Sequence, residues 1–357
     1  MREEHDVPLA DLTTMRVGGP AARLVTVETT DELVDAVREV DDADEPLLVV
    51  SGGSNLVVAD EGFPGTVVRV ATSGVTVESA DLCGGVMVRV AAGENWDAFV
   101  ARAVSEGWSG VEALSGIPGC TGATPVQNVG AYGQEVAQTI ASVRTWDRHE
   151  QRVRTFSNLD CAFTYRHSIF KGHARFVVLD VLFQLVPGDL SQPIGYADLA
   201  RQLGVETGER VPLADAREAV LQQRRNRGMV LDPEDHDTWS CGSFFTNPIL
   251  SVPQFAALEE RASQRLGADG PVPPRFADPD GNIKTSAAWL IDKAGFGKGY
   301  GLPGPAALST KHTLAITNRG GAKAADVAAL AREIRDGVRE AFGVSLVNEP
   351  VFVGHEI

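Results

Sequence analysis

Two glycine-rich stretches carry the first chemical signal in this chain of 357 residues. Ser51-Gly52-Gly53-Ser54-Asn55 follows directly on the apolar run at 47–50. Small residues let backbone N–H groups approach an anion closely, as in nest-type phosphate sites. A tight turn explains the same five residues equally well, so this stretch alone decides nothing. It matches neither the dinucleotide fingerprint nor a Walker loop. The second stretch, 114–133, holds five glycines, two prolines and no charged side chain. A connection that long inside a compact domain is usually functional or disordered. Its apolar residues and lack of charge argue against disorder. A backbone that wraps a large cofactor explains it better, and two such loops suggest a pyrophosphate held between them.

The elements that must position these loops can be read from spacing. Thr29 with Glu32 fits a capping box ahead of a helix over 29–40, with Leu33, Val37 and Val40 on its apolar stripe. Residues 47–50, 66–70 and 86–91 read as strands, the first of them buried. Asn95 caps a helix whose apolar face is Trp96, Phe99, Val100 and Ala103, stopped by Gly107. Strands resume at 140–155 and 176–186. Helices are predicted at 213–226, at 253–266 with Pro253 as the first helical residue, at 286–294, and at 326–342. The last has Val327, Leu330, Ile334, Val338 and Phe342 on one face. Residues 268–281 read as loop and 345–353 as a terminal strand pair. Helices and strands mix without regular βαβ alternation, which predicts an α+β fold.

Composition narrows the function classes. Lys plus Arg total 32 and Asp plus Glu 48, a net charge of −16. Such a chain lacks the basic footprint of a nucleic-acid binder and would be repelled by anionic lipid headgroups. Small nucleotides are a separate case, because local groups hold them. Residues 222–228 hold three Arg and no acid, and 301–325 hold Lys311, Arg319 and Lys323 with no acid. The four cysteines, Cys83, Cys120, Cys161 and Cys241, form no CxxC pair, so no metal site is expected. They read as reduced thiols of a cytoplasmic protein. The N-terminus has no apolar signal region, and no apolar run approaches membrane-span length.

With SGGSN upstream, the 114–133 loop resembles the flavin-binding half of the UDP-N-acetylenolpyruvoylglucosamine reductase family. Further segments match in order: 14–21 (TMRVGGPA), 165–171 (YRHSIFK), 242–248 (GSFFTNP), 288–295 (AWLIDKAG) and 348–350 (NEP). The resemblance covers nearly the whole chain. It implies noncovalent FAD, NADPH as reductant, and reduction of the enolpyruvyl ether on UDP-N-acetylglucosamine. Hydride would pass from flavin N5 to the enolpyruvyl carbon. It implies a two-part FAD region of the vanillyl-alcohol-oxidase-like type: residues 1–72 with the terminal strands near 343–357, then 73–228. A substrate-binding α+β domain would span 229–342. A monomer with only small-molecule partners is expected.

The resemblance also assigns residues. Arg166 is the charge stabiliser, for which a guanidinium is suited because it is always ionised and pairs a carboxylate through two parallel bonds. Ser243 is the proton donor. An isolated hydroxyl is a poor acid, yet it can serve a strongly basic carbon when held in line. Glu349 joins them at the substrate carboxylate. The FAD contacts fall on Gly52, Gly53, Ser54, Asn55, Ser115, Gly116, Ile117, Pro118, Gly119, Gly122, Ala123, Pro125, Asn128, Gly130, Ala131, Tyr132 and Gly133. Tyr196, Arg227, Asn247 and Lys293 are the substrate contacts; Tyr196 closes over the diphosphate in the subtype that carries this tyrosine loop. Three other readings compete. A flavin-dependent alcohol or sugar-acid oxidase often tethers its cofactor through His or Cys, and the first loop has no His. A flavin-binding protein without catalysis would leave Arg166, Ser243 and Glu349 unexplained. A phosphate-binding scaffold would need one glycine loop, not two.

Overall fold

Thr29 caps the first helix as its spacing predicts: its side chain accepts the Glu32 N–H at 3.2 Å. The return bond of the box goes elsewhere, since the Glu32 carboxylate accepts the N–H of Glu28. In the computed structural model, which describes residues 1–81 and 84–357, the helix α1 spans Thr30–Asp42. Cys83 lies outside the described residues; Cys120, Cys161 and Cys241 are free thiols. The chain divides into two compact units, one of residues 1–8, 20–53 and 63–230, the other of 9–19, 54–62 and 231–357.

Two larger sheets frame the first unit. In one, strands run in the order Arg2–Pro8, Pro20–Val27, Phe63–Val70, Leu47–Val50. The first pair is antiparallel and the others parallel, and α1 packs Leu33, Ala36 and Val37 into the core beneath them. Only Val50 of the 47–50 strand is fully buried; its other residues are half-exposed. The other sheet is antiparallel along Arg152–Ser157, Ile140–Asp147, Phe176–Pro187, Gly85–Ala91 and Val75–Asp81. The helix α2, Trp96–Ser105, covers it, with its Asn95 cap accepting the Ala98 N–H. Trp96 and Phe99 meet Phe183 of the sheet at 5.9 and 5.1 Å between ring centres. Helices α3, Ala197–Leu203, and α4, Leu213–Asn226, share a small core of Leu199, Val211 and Val220.

The second unit is built on α5, Val252–Leu266; α6, Ala287–Ala294; and α7, Ala324–Phe342. Phe244, Phe255, Leu290, Ile291 and the predicted stripe of α7 fill its core. Three expectations shift. Pro253 is the second helical residue, because Ser251 caps α5 and forms a capping box with Gln254. The 268–281 segment includes a short strand, Phe276–Ala277, paired with Ile283–Lys284. The terminal strand pair becomes one strand, Val351–Val353, parallel to Leu56–Val58. Residues 347–349 pair instead with a non-local segment near Phe245. Among the described residues, no helix is long and apolar enough to cross a membrane.

Candidate active site

The 114–133 loop is an ordered ribbon rather than open chain. Short 3-10 turns occupy Glu112–Leu114 and Thr121–Ala123, and Gly130–Ala131 pairs with Gln134–Glu135. The ribbon lies along residues 92–96: Gly122 N–H donates to Ala92 O at 2.8 Å, and Trp96 N–H to Gly119 O at 3.1 Å. Gly52 shows why both loops need glycine. A Cβ there would lie 2.4 Å from the Gly119 Cα, so the two backbones pack against each other directly.

Side chains fix the rest of the ribbon. Asp97, in the first turn of α2, accepts the Gly116 N–H at 2.6 Å and a forked pair of bonds from Arg217 of α4 at 2.7 and 2.9 Å. Burial opposes ionisation of Asp97, but Arg217 and the Gly116 N–H outweigh it, leaving its carboxyl below the usual value. Asn128 sits at a φ of 49°. Its side-chain amide donates to Glu135 and to Thr164 O, and its carbonyl oxygen accepts the Ala137 N–H. Ser115 is buried and donates to Glu112 O. Ser115 and Asn128 therefore shape the loop through their side chains.

Arg166 leans on this ribbon. It has a φ of 54°, and its guanidinium donates to Gly130 O at 2.8 Å and Asn128 O at 3.4 Å. Lys171 holds the Arg166 carbonyl at 2.9 Å. Nearby in the same unit, Tyr132 and Tyr196 meet edge to face at 5.4 Å, and Arg227 lies 5.9 Å over Tyr132. Burial raises the Tyr132 phenol above its usual pKa, against the pull of Arg224 and Arg227. Arg227 also faces Asp198 at 3.6 Å. Arg224 donates to Met229 O, and burial lowers its guanidinium to about 10, so it stays charged at neutral pH.

In the second unit, Ser243 and Glu349 are neighbours by backbone. Glu349 N–H donates to Phe244 O at 2.8 Å, Thr246 N–H to Val347 O at 3.0 Å, and Phe245 bridges Asn348. Phe244 and Phe245 are buried beneath this ladder. Asn55 ties it down: its side-chain amide donates to Glu349 O at 3.1 Å, and its carbonyl accepts the Val351 N–H. Cys241, two residues before Ser243, is pushed up to about 12 by burial and then by the charge of Glu349, so it remains a thiol. Asn247 and Lys293 belong to opposite ends of α6. The Asn247 carbonyl accepts the Ala287 N–H, while Lys293 pairs with Asp292 at 2.8 Å. Six residues of helix separate those ends by ~9 Å.

The acid-free run 301–325 is not an open basic surface. Lys311 pairs with Asp235 at 2.5 Å and Arg319 with Asp237 at 2.8 Å, both acids coming from outside the run. Among the described residues, no group of three or more His, Cys, Asp or Glu could hold a metal ion. Local spacing in the sequence singles out neither Asp97 nor Arg224. Asp97 looks like an ordinary first-turn acid, and Arg224 like one of three cations in a polar run. Glu112 does carry a sequence signal: it is the one charged residue between 107 and 134.

The ribbon suits FAD on three grounds. No acid faces it from its own sequence between 114 and 133. The backbone N–H groups of Gly53, Ile117 and Gly119 donate to no protein acceptor among the described residues. The buried Nε of Arg224 likewise has no protein acceptor among them, and it lies 3.4 Å from where a Gly116 Cβ would be. That is a donor set for phosphate and carbonyl oxygens.

Comparison with known proteins agrees. Residues 21–155 match the family model described as FAD binding domain. Residues 232–353 match that of the UDP-N-acetylenolpyruvoylglucosamine reductase C-terminal domain. The chain is 60% identical over 350 residues to a UDP-N-acetylenolpyruvoylglucosamine reductase of Thermobifida fusca, covering 98% of each. It is 58% identical over 359 residues to that of Streptomyces avermitilis, covering 100% of this chain and 96% of the relative. The crystal structure of the Thermus caldophilus reductase superposes with a TM-score of 0.64 at 28% identity, over 99% of both chains. This chain is thus a member of the UDP-N-acetylenolpyruvoylglucosamine reductase family.

Proposed function

We propose that this chain reduces UDP-N-acetylglucosamine enolpyruvate to UDP-N-acetylmuramate in peptidoglycan precursor synthesis, using NADPH and noncovalent FAD. The observation that carries this reading is the backbone ladder that ties Phe244, the residue after Ser243, to Glu349. Full-length similarity to the reductases supports it. When bound, FAD would supply the hydride chemistry that links NADPH to the enolpyruvyl carbon. The protein must then steady the charge that develops beside the substrate carboxylate and deliver one proton.

Arg166 is the group for the charge. Its plane is set by the Gly130 and Asn128 carbonyls, so little reorganisation is needed when a carboxylate meets it. Ser243 gives its hydroxyl proton to the carbanion-like carbon, and its position is fixed by buried Phe244 and Phe245 on its C-terminal side. Glu349 belongs at the enolic carboxyl, where it keeps a proton in play. Tyr196 and Arg227 serve the diphosphate, with Tyr132 packed between them, and Asn247 and Lys293 the remaining substrate groups. The division into 1–72 with 343–357, 73–228 and 229–342 describes two parts for FAD and one for substrate. We assign a cytoplasmic monomer whose partners are these small molecules, not nucleic acid or membrane.

A spectral assay tests the reading. The purified protein is expected to show an oxidised flavin spectrum, bleach with NADPH, and recover on adding the enolpyruvyl UDP-sugar but not alcohols or hydroxy acids. Ser243→Ala is expected to slow recovery by ~10²–10⁴-fold while bleaching persists. Equal losses in both half-reactions would remove Ser243 from the proton step. A protein that takes up no FAD on reconstitution would overturn the whole reading.

A further inference from the structure

The carboxylate of Glu112 is buried, 1% exposed, and has no part in the chemistry above. No cation pairs with it among the described residues. Instead three N–H groups from three segments converge on its two oxygens. Oε2 accepts the Gly110 N–H at 2.6 Å. Oε1 accepts the Gln192 N–H at 2.6 Å and the Gln134 side-chain amide at 3.0 Å. Gln134 accepts the Ala113 N–H in return at 2.8 Å, and the Gln192 side chain donates to buried Ser109 at 2.6 Å. Burying a carboxylate is costly unless such bonds replace its water.

The two glutamines flank the tyrosine pair. Gln134 is two residues after Tyr132, and Gln192 is four before Tyr196. The chain between Gln192 and Tyr196 is short and braced, with Ile194 N–H donating to Glu209 O and Gly208 N–H to Ile194 O. Gly133 and Gly195 run side by side, since a Cβ on Gly133 would lie 3.7 Å from the Gly195 Cα. A displacement at Glu112 would thus reach both sides of the Tyr132–Tyr196 contact.

We propose that Glu112 is a positioning residue for the diphosphate end of the UDP-sugar. It holds Gln134 and Gln192 together and so fixes the edge-to-face Tyr132–Tyr196 pair beside Arg227. The proposal rests on the functional reading above, in which Tyr196 and Arg227 serve that diphosphate. Glutamate is required rather than glutamine because three donors face two oxygens. A glutamine has one acceptor oxygen, so its NH₂ would oppose either Gly110 or the Gln192–Gln134 pair.

The test uses the FAD-loaded full chain with Glu112→Gln, alone and with Tyr196→Ala. Amide hydrogen exchange at 132–136 and 190–196 is expected to rise ~ten-fold, with α7 unchanged. The KM for the UDP-sugar is expected to rise ~ten-fold, while kcat and NADPH bleaching stay within ~two-fold. In the Tyr196→Ala background the same change is expected to move KM by less than ~two-fold, the mark of action through that tyrosine. Wild-type exchange in both segments, or an equal KM rise in both backgrounds, would overturn the proposal. If Glu112→Gln does not fold, Gln134→Ala removes one spoke and is read the same way, with a smaller rise expected. Should wild-type flavin fail to reoxidise with the UDP-sugar, the functional reading falls; the exchange result still decides whether Glu112 sets the tyrosine pair.

Discussion

The glycine ribbon at 114–133 and the ladder joining 244–246 to 347–349 both hold candidate site residues, but by different means. The ribbon lies along residues 92–96 by backbone bonds and is fastened at its other points by side chains. Asp97 grips Gly116, Asn128 bonds to Glu135, Ala137 and Thr164, and Glu112 to Gly110, Gln134 and Gln192. The ladder is fastened mainly by its own backbone over two buried phenylalanines, with Asn55 adding a side-chain tie. The N–H groups a ribbon leaves open to a cofactor cannot also pair with neighbouring backbone, so part of its order must come from side chains. A strand that presents only a side chain can spend its backbone on pairing. Single polar substitutions should therefore disturb the ribbon through ligand retention, and the ladder should respond mainly to loss of its apolar floor.

The largest effect expected is on that floor. Phe244→Ala removes a fully buried ring from the core and should cost ~3–5 kcal/mol, read as a lower urea midpoint. If stability held and only activity fell, the ladder would not depend on its core as argued. Asp97→Asn comes next. Its amide oxygen can keep the Gly116 N–H and one arm of Arg217, which share Oδ1, but its NH₂ would oppose the other arm at Oδ2 and the charge that holds Arg217 is gone, so the FAD dissociation constant should rise ~ten-fold. Because the carboxylate is partly exposed, global stability should fall by only ~1 kcal/mol. An unchanged flavin affinity would mean that the ribbon keeps its shape without this clamp.

The same contrast explains what could be read from sequence. The α1 cap, the α7 stripe and the Ser286–Gly295 helix limits are local signals within a few residues, and each appears where spacing puts it. The ribbon was visible as glycines without charge, because backbone approach needs small residues wherever the partner comes from. Its clamps were not. Asp97 reaches Arg217, 120 residues on, and Glu112 reaches Gln192, 80 residues on; no periodicity encodes such pairs. The terminal segment misled for the same reason. Residues 345–353 read as a strand pair, but their partners are Phe245 and Leu56–Val58 rather than each other. Arg166, Ser243 and Glu349 were found through ordered family motifs, since an arginine, a serine and a glutamate far apart in sequence carry no joint local signal.

A third clamp separates ligand-serving side chains from purely structural ones. Asp147 closes the hairpin between the strands Ile140–Asp147 and Arg152–Ser157. Its buried carboxylate accepts from Arg175 at 2.7 and 2.9 Å and from the N–H groups of His149 and Glu150. Arg175 is the main cause that pulls its pKa down to about 2, against burial. The folded value is thus below that of an unfolded aspartate, ~3.9. Between those values the unfolded chain binds more protons, so this carboxylate contributes stability above about pH 4 and loses it as pH falls toward 2. Asp147→Asn should lower the urea midpoint most at neutral pH, with the gap to wild type closing between about pH 4 and 2. FAD affinity should not change, because nothing in this hairpin turn touches the ribbon clamps. A stability gap that stays constant down to pH 2.5 would deny the ion pair its role. A loss of flavin would show that the hairpin and the ribbon are mechanically coupled, which the separate hydrogen-bond networks argue against.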